Sequence, residues 1–271
     1  MSVTEPQGDT FARSLAHWSE AGRAGMDAFY RLATADYRHL AAARDWRAWL
    51  EERQRAAGAR PLKLLDVACG SGKFPTALLA HAGVGEAAIE PIDYDLLDPS
   101  AFSVAEARAA LKPPFEPGTE HVCTLQNLDC PEGAYDIAWA THALYAVPGA
   151  EVEAAMARFC QAIGRTGVGL LAHAVEEAHY LAFYRLFLDA FRGGKGEPYT
   201  GTERLQAALE AQGAEVEAQD IVYDTAAPES ETAAVEGFLQ RCVFDDSVPL
   251  AAMLEHPLTG PYLAACRQDG V

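Results

Sequence analysis

The sequence is poor in lysine and rich in acidic residues. Only four of its 21 basic residues are lysine, whereas 39 residues are acidic, and the formal net charge is −18. A surface of this charge repels phosphate backbones, so we expect no nucleic-acid partner. The same charge tolerates or attracts a cationic small molecule, and it also serves simple solubility.

Several other signatures are missing. No apolar run approaches the ~18–20 residues of a membrane span, and the N-terminus has no basic region followed by an apolar block. We therefore expect no membrane partner and no secretion signal. The eight histidines show no ligand spacing with cysteines or acids, so no metal is expected. The cysteines form no Cys-x-x-Cys pair, which is typical of reduced thiols in a cytoplasmic protein. They are Cys69, Cys123, Cys130, Cys160, Cys242 and Cys266.

A glycine-rich turn is the most informative feature that is present. Residues 63–74, Lys-Leu-Leu-Asp-Val-Ala-Cys-Gly-Ser-Gly-Lys-Phe, predict a buried strand, a tight turn and a helix. Gly70 and Gly72 permit the turn and let a ligand approach the backbone closely. The turn lacks the phosphate-loop, dinucleotide-binding and serine-hydrolase signatures. It predicts a nucleotide-like ligand at the end of a strand.

Strands and helices alternate through the middle of the chain. Strands are predicted at 63–67, 92–97, 121–125, 135–140 and 167–172, with another near 215–223. Helices are predicted at 10–57, 73–83, 100–112, 150–163, 177–191, 202–212 and 230–256. This order predicts a doubly wound, Rossmann-like α/β sheet covered on both faces. We expect a helical lid at 1–60 and a main domain at 61–271 with a helical insertion at about 225–260. A final antiparallel strand is not evident.

The spacing Asp66-x-x-x-Gly70-x-Gly72 resembles the first motif of class I S-adenosylmethionine (SAM) dependent methyltransferases. Residues 136–147 and 238–244 are similar to segments of histamine N-methyltransferase and its relatives. The resemblance implies the class I methyltransferase sheet, SAM as cofactor and a small-molecule acceptor beneath N-terminal helices. It also implies methyl transfer to an amine nitrogen.

An acid at the end of the second strand is expected to bind the ribose of SAM. Asp98 is favoured over Asp93 and Asp95, because it ends the strand and Pro99-Ser100 then opens a helix. The resemblance implies that Asp66 organises the turn and binds the methionine amino group. Cys69 is expected to fill a tight space in the turn. The expected cofactor-binding residues are Asp66, Ala68, Cys69, Gly70, Gly72, Asp98, Pro99, Gln126, Asn127, Thr141 and Tyr30.

His142 and Tyr180 are the candidate catalytic residues. His142 follows the fourth strand, where it would face the crevice and take a proton from an amine, or else cap the loop. The histamine-methylating relatives carry Gln at the matching position. This difference argues against histamine as the acceptor of this chain. Tyr180 would hold a cation by its ring, or else pack in the core. Expected substrate contacts, each with a structural alternative, are Glu20, Tyr145, His173 and Tyr184.

Two other uses of SAM stay open. One is a cyclase that closes the aminobutyrate arm of SAM to azetidine-2-carboxylate and releases methylthioadenosine. The other is a SAM-binding regulator without catalysis. An aromatic and polar cage around the whole of SAM would favour the cyclase. The sequence is compatible with a monomer or a dimer.

Overall fold

The computed structural model describes residues 10–86, 88–227 and 229–271. At its centre lies a parallel sheet of five strands in the order β3-β2-β1-β4-β5. The strands are β1 Leu62–Val67, β2 Ile92–Leu97, β3 Phe115–His121, β4 Ile137–Thr141 and β5 Val168–Ala172. The strand order reverses at β1, whose neighbours are β2 and β4, and this opens a crevice at the carboxyl ends of these strands. The predicted α/β fold is confirmed.

Helices cover both faces of the sheet. In chain order they are α1 Thr10–His17, α2 Arg23–Ala42, α3 Trp46–Ala57, α4 Lys73–His81, α5 Ala101–Ala110, α6 Val152–Ile163, α7 His179–Arg192, α8 Thr202–Ala211, α9 Thr232–Arg241, α10 Leu250–Glu255 and α11 Thr259–Asp269. None of these helices, within the described ranges, is both long and apolar enough to span a lipid bilayer.

Strand β1 supplies the two cores of the sheet with alternate side chains. Leu62 and Leu64 join a cluster with residues of α3, α4 and α5, whereas Leu65 and Val67 join another with residues of α6 and α8. Successive side chains of a strand point to opposite faces, so a strand that is buried on both sides reads as a continuous apolar run. This is why the run before the glycine turn identifies β1.

A third apolar cluster joins helices that lie beyond the sheet. Ala33 of α2 packs with Phe183 of α7, Phe238 of α9 and Leu263 of α11. Glycine permits a close approach in this layer, because a Cβ on Gly237 would lie 3.0 Å from Cβ of Ala28. Helix α2 is thereby held as one wall of the crevice.

Two predicted strands are wrong. The sequence predicts the third strand at 121–125, but β3 ends at His121 and residues Leu125–Asn127 form a 3-10 turn. Strand β3 lies at the sheet edge and only Phe115 in it is buried, so it lacks an apolar pattern. The strand predicted near 215–223 is absent too, since residues 214–227 contain neither helix nor strand. The sheet, as far as the chain is described, has no antiparallel strand.

Two predicted helices are each divided into shorter helices in the structure. The helix predicted over 10–57 is divided into α1, α2 and α3, with Asp45 capping α3 by accepting the Ala48 amide at 2.9 Å. The helix predicted over 230–256 consists of α9 and α10, and α11 follows at Thr259–Asp269, where no helix was predicted. The predicted cap of α5 is confirmed, because Ser100 Oγ accepts the Ser103 amide at 3.2 Å.

Candidate functional site

A cavity lies where the strand ends meet the covering helices. Its floor comes from the ends of β1, β2 and β4, and its cover from α1, α2, α7 and the end of α9. Three non-glycine residues of the described chain have a positive φ, and all three line this cavity: Ala68, His142 and Phe244. Strained backbone of this kind concentrates at functional sites.

Asp98 joins the end of β2 to the glycine turn. Its carboxylate accepts the Gly70 amide at 3.1 Å and the Ser100 amide at 2.8 Å. It is buried yet lines the cavity, and burial raises its pKa to about 6. Each carboxylate oxygen has a second lone pair, so Asp98 still has acceptors for ligand hydroxyls.

Gly70 leaves the turn open towards the cavity. Its φ is +51°, and a Cβ placed on it would meet only the Tyr30 hydroxyl, at 3.8 Å. Gly72 also has a left-handed φ, but it starts α4 and lies under α5, where a Cβ would come within 3.2 Å of Ala107. Gly70 therefore offers space to a ligand, and Gly72 allows the helices to pack.

Asp66 is a second buried carboxylate at the cavity. Its Oδ2 accepts the hydroxyl of Tyr94 at 2.7 Å, and that hydroxyl accepts Trp139 Nε1 at 3.2 Å. Burial raises the pKa of Asp66 to about 7. A cationic ligand group would favour the ionised carboxylate and lower that pKa.

Helix α1 and the residue after it cover the Asp98 end of the cavity. The Trp18 carbonyl accepts Ser100 Oγ at 2.7 Å and Ser103 Oγ at 3.3 Å, so the cover is fixed to α5. The Trp18 ring lies 5.6 Å from the ring of Tyr30, and Lys73 Nζ lies 4.4 Å from the centre of the Tyr30 ring. All three side chains line the cavity.

His142 lies at the opposite end of the cavity floor. Its Nδ1 is 3.2 Å from the Tyr145 hydroxyl, and its ring meets the ring of Tyr37 edge-on at 5.3 Å. Burial lowers the pKa of His142, so the imidazole is neutral at neutral pH. Behind it, Tyr145 stacks on His173 at 4.0 Å, and His173 Nε2 donates to the Thr200 carbonyl at 2.8 Å.

Asp36 was not identified in the sequence, and it lines the cavity from α2. It is only 5 % exposed, and its Oδ2 accepts the hydroxyl of Tyr180 at 2.8 Å. Phe29, Ala33, Asp36 and Tyr37 all line the cavity. Their three- and four-residue spacing places them on one face of a helix. An acid on this otherwise apolar face was the sequence signal from which Asp36 could have been predicted as a site residue.

The structure brings most predicted site residues together. The cavity is lined by Tyr30, Asp66, Ala68, Cys69, Gly70, Asp98, Pro99, Gln126, Thr141, His142, Tyr145 and Tyr180. Five predicted residues lie outside the lining: Glu20, Gly72, Asn127, His173 and Tyr184. Glu20 and Asn127 are exposed, and Tyr184 is buried against Tyr199 with ring centres 3.8 Å apart. Trp18 lines the cavity as part of the predicted lid, and Asp36 and Lys73 line it without having been predicted.

The donor set of the cavity fits SAM. Asp98 lies at the end of β2, where it can accept ribose hydroxyls, and Asp66 can accept the amino group of the methionine end. Gly70 leaves the approach free, and Gln126 lines the cavity, where its amide could bind the adenine. These residues would hold SAM along the carboxyl edge of the sheet.

Solved structures share this fold. A magnesium protoporphyrin IX methyltransferase from Synechocystis PCC 6803, with bound SAH, has a TM-score of 0.54 and 15% sequence identity, covering 81% of this chain and 94% of that one. A possible histamine N-methyltransferase from Thermotoga maritima has a TM-score of 0.48 and 14% identity, covering 76% and 82%. At 15% identity the likeness to the Synechocystis enzyme is one of fold. No curated protein sequence matches the chain.

A family model described as a methyltransferase domain matches residues 37–219, which is more than half of the chain. The match runs from α2 through the glycine turn, Asp98 and His142 to the segment after α8. The chain therefore belongs to the SAM-dependent methyltransferase family.

Proposed function

We propose that this enzyme methylates a nitrogen of a small-molecule amine. The observation that carries the proposal is the place of His142 in the same cavity as Asp66 and Gly70. Because burial lowers the pKa of this imidazole, it is neutral and able to take a proton from an ammonium group. Removal of that proton frees the nitrogen lone pair, which a nucleophile needs.

The protein's own contribution is to bind, align and exclude water. When bound, SAM supplies an electrophilic methyl carbon, to which the lone pair forms an N–C bond while the electrons of the C–S bond stay on sulfur. Asp66 and Asp98 would hold the two ends of the cofactor, and the rings of Tyr37 and Tyr145, which line the same cavity, would shield the acceptor from water. Alignment of this kind is worth ~7–11 kcal/mol of the barrier when it is complete.

A second candidate is cyclisation of the aminobutyrate arm of SAM with release of methylthioadenosine. The observation that favours it is the aromatic lining, in which the rings of Tyr145 and Tyr180 lie 6.1 Å apart and those of Trp18 and Tyr30 lie 5.6 Å apart. Rings of this kind stabilise a sulfonium by cation–π attraction. His142 and Asp36 are better suited to an added amine, so we rank methyl transfer first.

Product analysis separates the two candidates. The protein is incubated with SAM alone and with SAM plus a mixture of primary and secondary amines. We expect S-adenosylhomocysteine to form only when an amine is present. Methylthioadenosine without an added acceptor would overturn the methyltransferase proposal, and SAM that stays intact in both mixtures would also count against it.

A further inference from the structure

We infer that Asp36 binds the acceptor as a protonated amine, so that the enzyme selects cationic acceptors against neutral and acidic ones. The inference rests on the proposed function and names the substrate class of the same site. It concerns a residue of α2, on the wall opposite the strand ends that hold the cofactor loop.

The first observation is that the Asp36 carboxylate has no cationic partner. Its side chain is buried, with 5 % exposure. No lysine, arginine or histidine of the described residues forms an ion pair with it. A buried charge without an opposite charge costs several kcal/mol, by order of magnitude. Since Asp36 lines the cavity, a cation that enters the cavity removes this cost.

The second observation is that the neighbours of Asp36 are hydroxyl groups and not cations. The Tyr180 hydroxyl donates to it at 2.8 Å, and burial together with the Asp36 charge raises the pKa of Tyr180 and of Tyr223. Both phenols therefore keep their protons at neutral pH. They offer hydroxyl groups to the Asp36 carboxylate and supply no positive charge.

The third observation is the kind of space beside the carboxylate. The cavity wall around Asp36 is formed by Phe29, Ala33, Tyr37 and Tyr145. These residues suit the apolar body of an amine, and the rings attract its cationic end. A neutral alcohol gains neither the ion pair nor the cation–π term, and a carboxylate is repelled.

The fourth observation links Asp36 to His142. Both residues line the cavity, and Tyr37, the residue next to Asp36, meets the His142 ring edge-on with ring centres 5.3 Å apart. The charge of Asp36 accordingly opposes the effect of burial on the pKa of His142. An ammonium held by Asp36 thus lies within the field of the base that takes its proton. The positive charge moves from the amine to the imidazole, and Asp36 stabilises it before and after the transfer.

The test compares matched acceptors on matched variants. The acceptors are 2-phenylethylamine, 2-phenylethanol and phenylacetic acid, with hexylamine, hexanol and hexanoic acid as an aliphatic set. Binding to the protein saturated with S-adenosylhomocysteine is measured by calorimetry, and methyl transfer by mass spectrometry with trideuteromethyl SAM. The variants are Asp36→Asn, Asp36→Glu and, as a control that removes an exposed acid, Asp93→Asn.

We expect the wild-type protein and Asp93→Asn to bind and methylate only the amines. Asp36→Asn should lose at least a hundredfold in kcat/KM for amines while its SAM affinity stays within twofold, and Asp36→Glu should keep the preference for amines with a higher KM. Because Asp36→Asn removes a buried carboxylate that has no ion-pair partner, its melting temperature without ligand should equal or exceed that of the wild type.

Unchanged amine methylation by Asp36→Asn would overturn the inference and leave the proposed function standing. If Asp36→Asn does not fold, Asp36→Glu decides, since it must retain amine selectivity. Failure of the proposed function has different signatures, namely no binding of any amine, preferred methylation of alcohols or acids, or methylthioadenosine from SAM alone in every variant.

Discussion

The carboxylate of Asp98 and the backbone amide of Gly70 are joined by a hydrogen bond of 3.1 Å, across the gap between two strand ends. One residue ends β2 and the other forms the turn after β1. The bond connects Asp98, the acid expected to bind the ribose, to the glycine turn. A change at Asp98 therefore affects both the acceptor for the ribose and the shape of the turn.

We predict that Asp98→Ala weakens SAM binding at least tenfold. The variant loses the acceptor for the ribose and the partner of the Gly70 amide, and hydrogen bonds to charged groups are worth about 1.5–3 kcal/mol each. Asp98→Asn keeps one acceptor oxygen and should lose less. Titration calorimetry with SAM and with S-adenosylhomocysteine measures both. Unchanged affinity in the alanine variant would show that another acid binds the ribose.

SAM affinity should rise with pH between about pH 6 and 8. Burial raises the pKa of Asp66 to about 7, and the cationic amino group of SAM prefers the ionised carboxylate. The affinity therefore increases as Asp66 loses its proton. Asp66→Asn should bind SAM more weakly and without this pH dependence. Calorimetry across the pH range tests it, and a pH-dependent affinity in Asp66→Asn would assign the effect to another group.

The same carboxylate should affect stability in the opposite sense. The folded-state pKa of Asp66 is raised, so its contribution is fully present below about pH 4 and is lost as pH rises through about 7. Without SAM, the melting temperature of the wild type should fall over this window. Asp66→Asn should lack most of that fall, with Asp98 supplying a smaller part, since its pKa is about 6. Equal pH profiles for the two proteins would contradict this prediction.

Gly70→Ala should impair cofactor binding far more than its effect on stability explains. Gly193 offers a matched control, because it also has a left-handed φ, at +61°, and a Cβ on it meets nothing within 4 Å. Each substitution should lower stability by ~1–2 kcal/mol. Only Gly70→Ala should lose SAM affinity, since its Cβ projects into the cavity below Tyr30. Thermal melts and calorimetry on both variants decide, and equal affinities would exclude a role for the space above Gly70.

The cofactor side of the site could be predicted because its signals are local in the sequence. An apolar run, two glycines and Asp98 before a helix cap are each visible within a few residues, and the sheet brings them together. The third strand could not be placed, because an edge strand with one buried residue, Phe115, carries no apolar pattern.

The acceptor side is assembled from helices that are distant in sequence. Asp36 and Tyr180 meet only because α2 and α7 share the third core, and no local pattern encodes that contact. The sequence analysis predicted Glu20 as a substrate contact, but Glu20 is exposed and lies outside the cavity lining. The two acids differ in burial, since Asp36 is buried and Glu20 is exposed. Burial depends on how the helices pack and cannot be read from the local sequence.

His142→Gln should lower kcat by a hundredfold or more without changing SAM affinity. Glutamine retains a hydrogen bond towards Tyr145 but cannot take a proton, and general base catalysis is typically worth 10²–10⁴-fold. The exposed His81, at the end of α4, provides the control variant His81→Gln. Steady-state kinetics with a methylated amine from the acceptor panel give kcat, and calorimetry gives the SAM affinity. A kcat within threefold of the wild type would remove His142 from proton transfer.

Trp18→Ala should release SAM faster, because the indole closes the Asp98 end of the cavity over Tyr30. Large side chains bury enough apolar area to account for ~1.5–3 kcal/mol, and changes in affinity within one interface fall mostly on the dissociation rate. We therefore expect the dissociation rate to rise tenfold or more while the association rate changes little. Trp49→Ala on α3 is the control, since Trp49 packs on Trp46 away from the lining. A chase of bound radiolabelled SAM with excess S-adenosylhomocysteine measures the rate. If both variants release SAM as slowly as the wild type, α1 is not the cover that retains the cofactor.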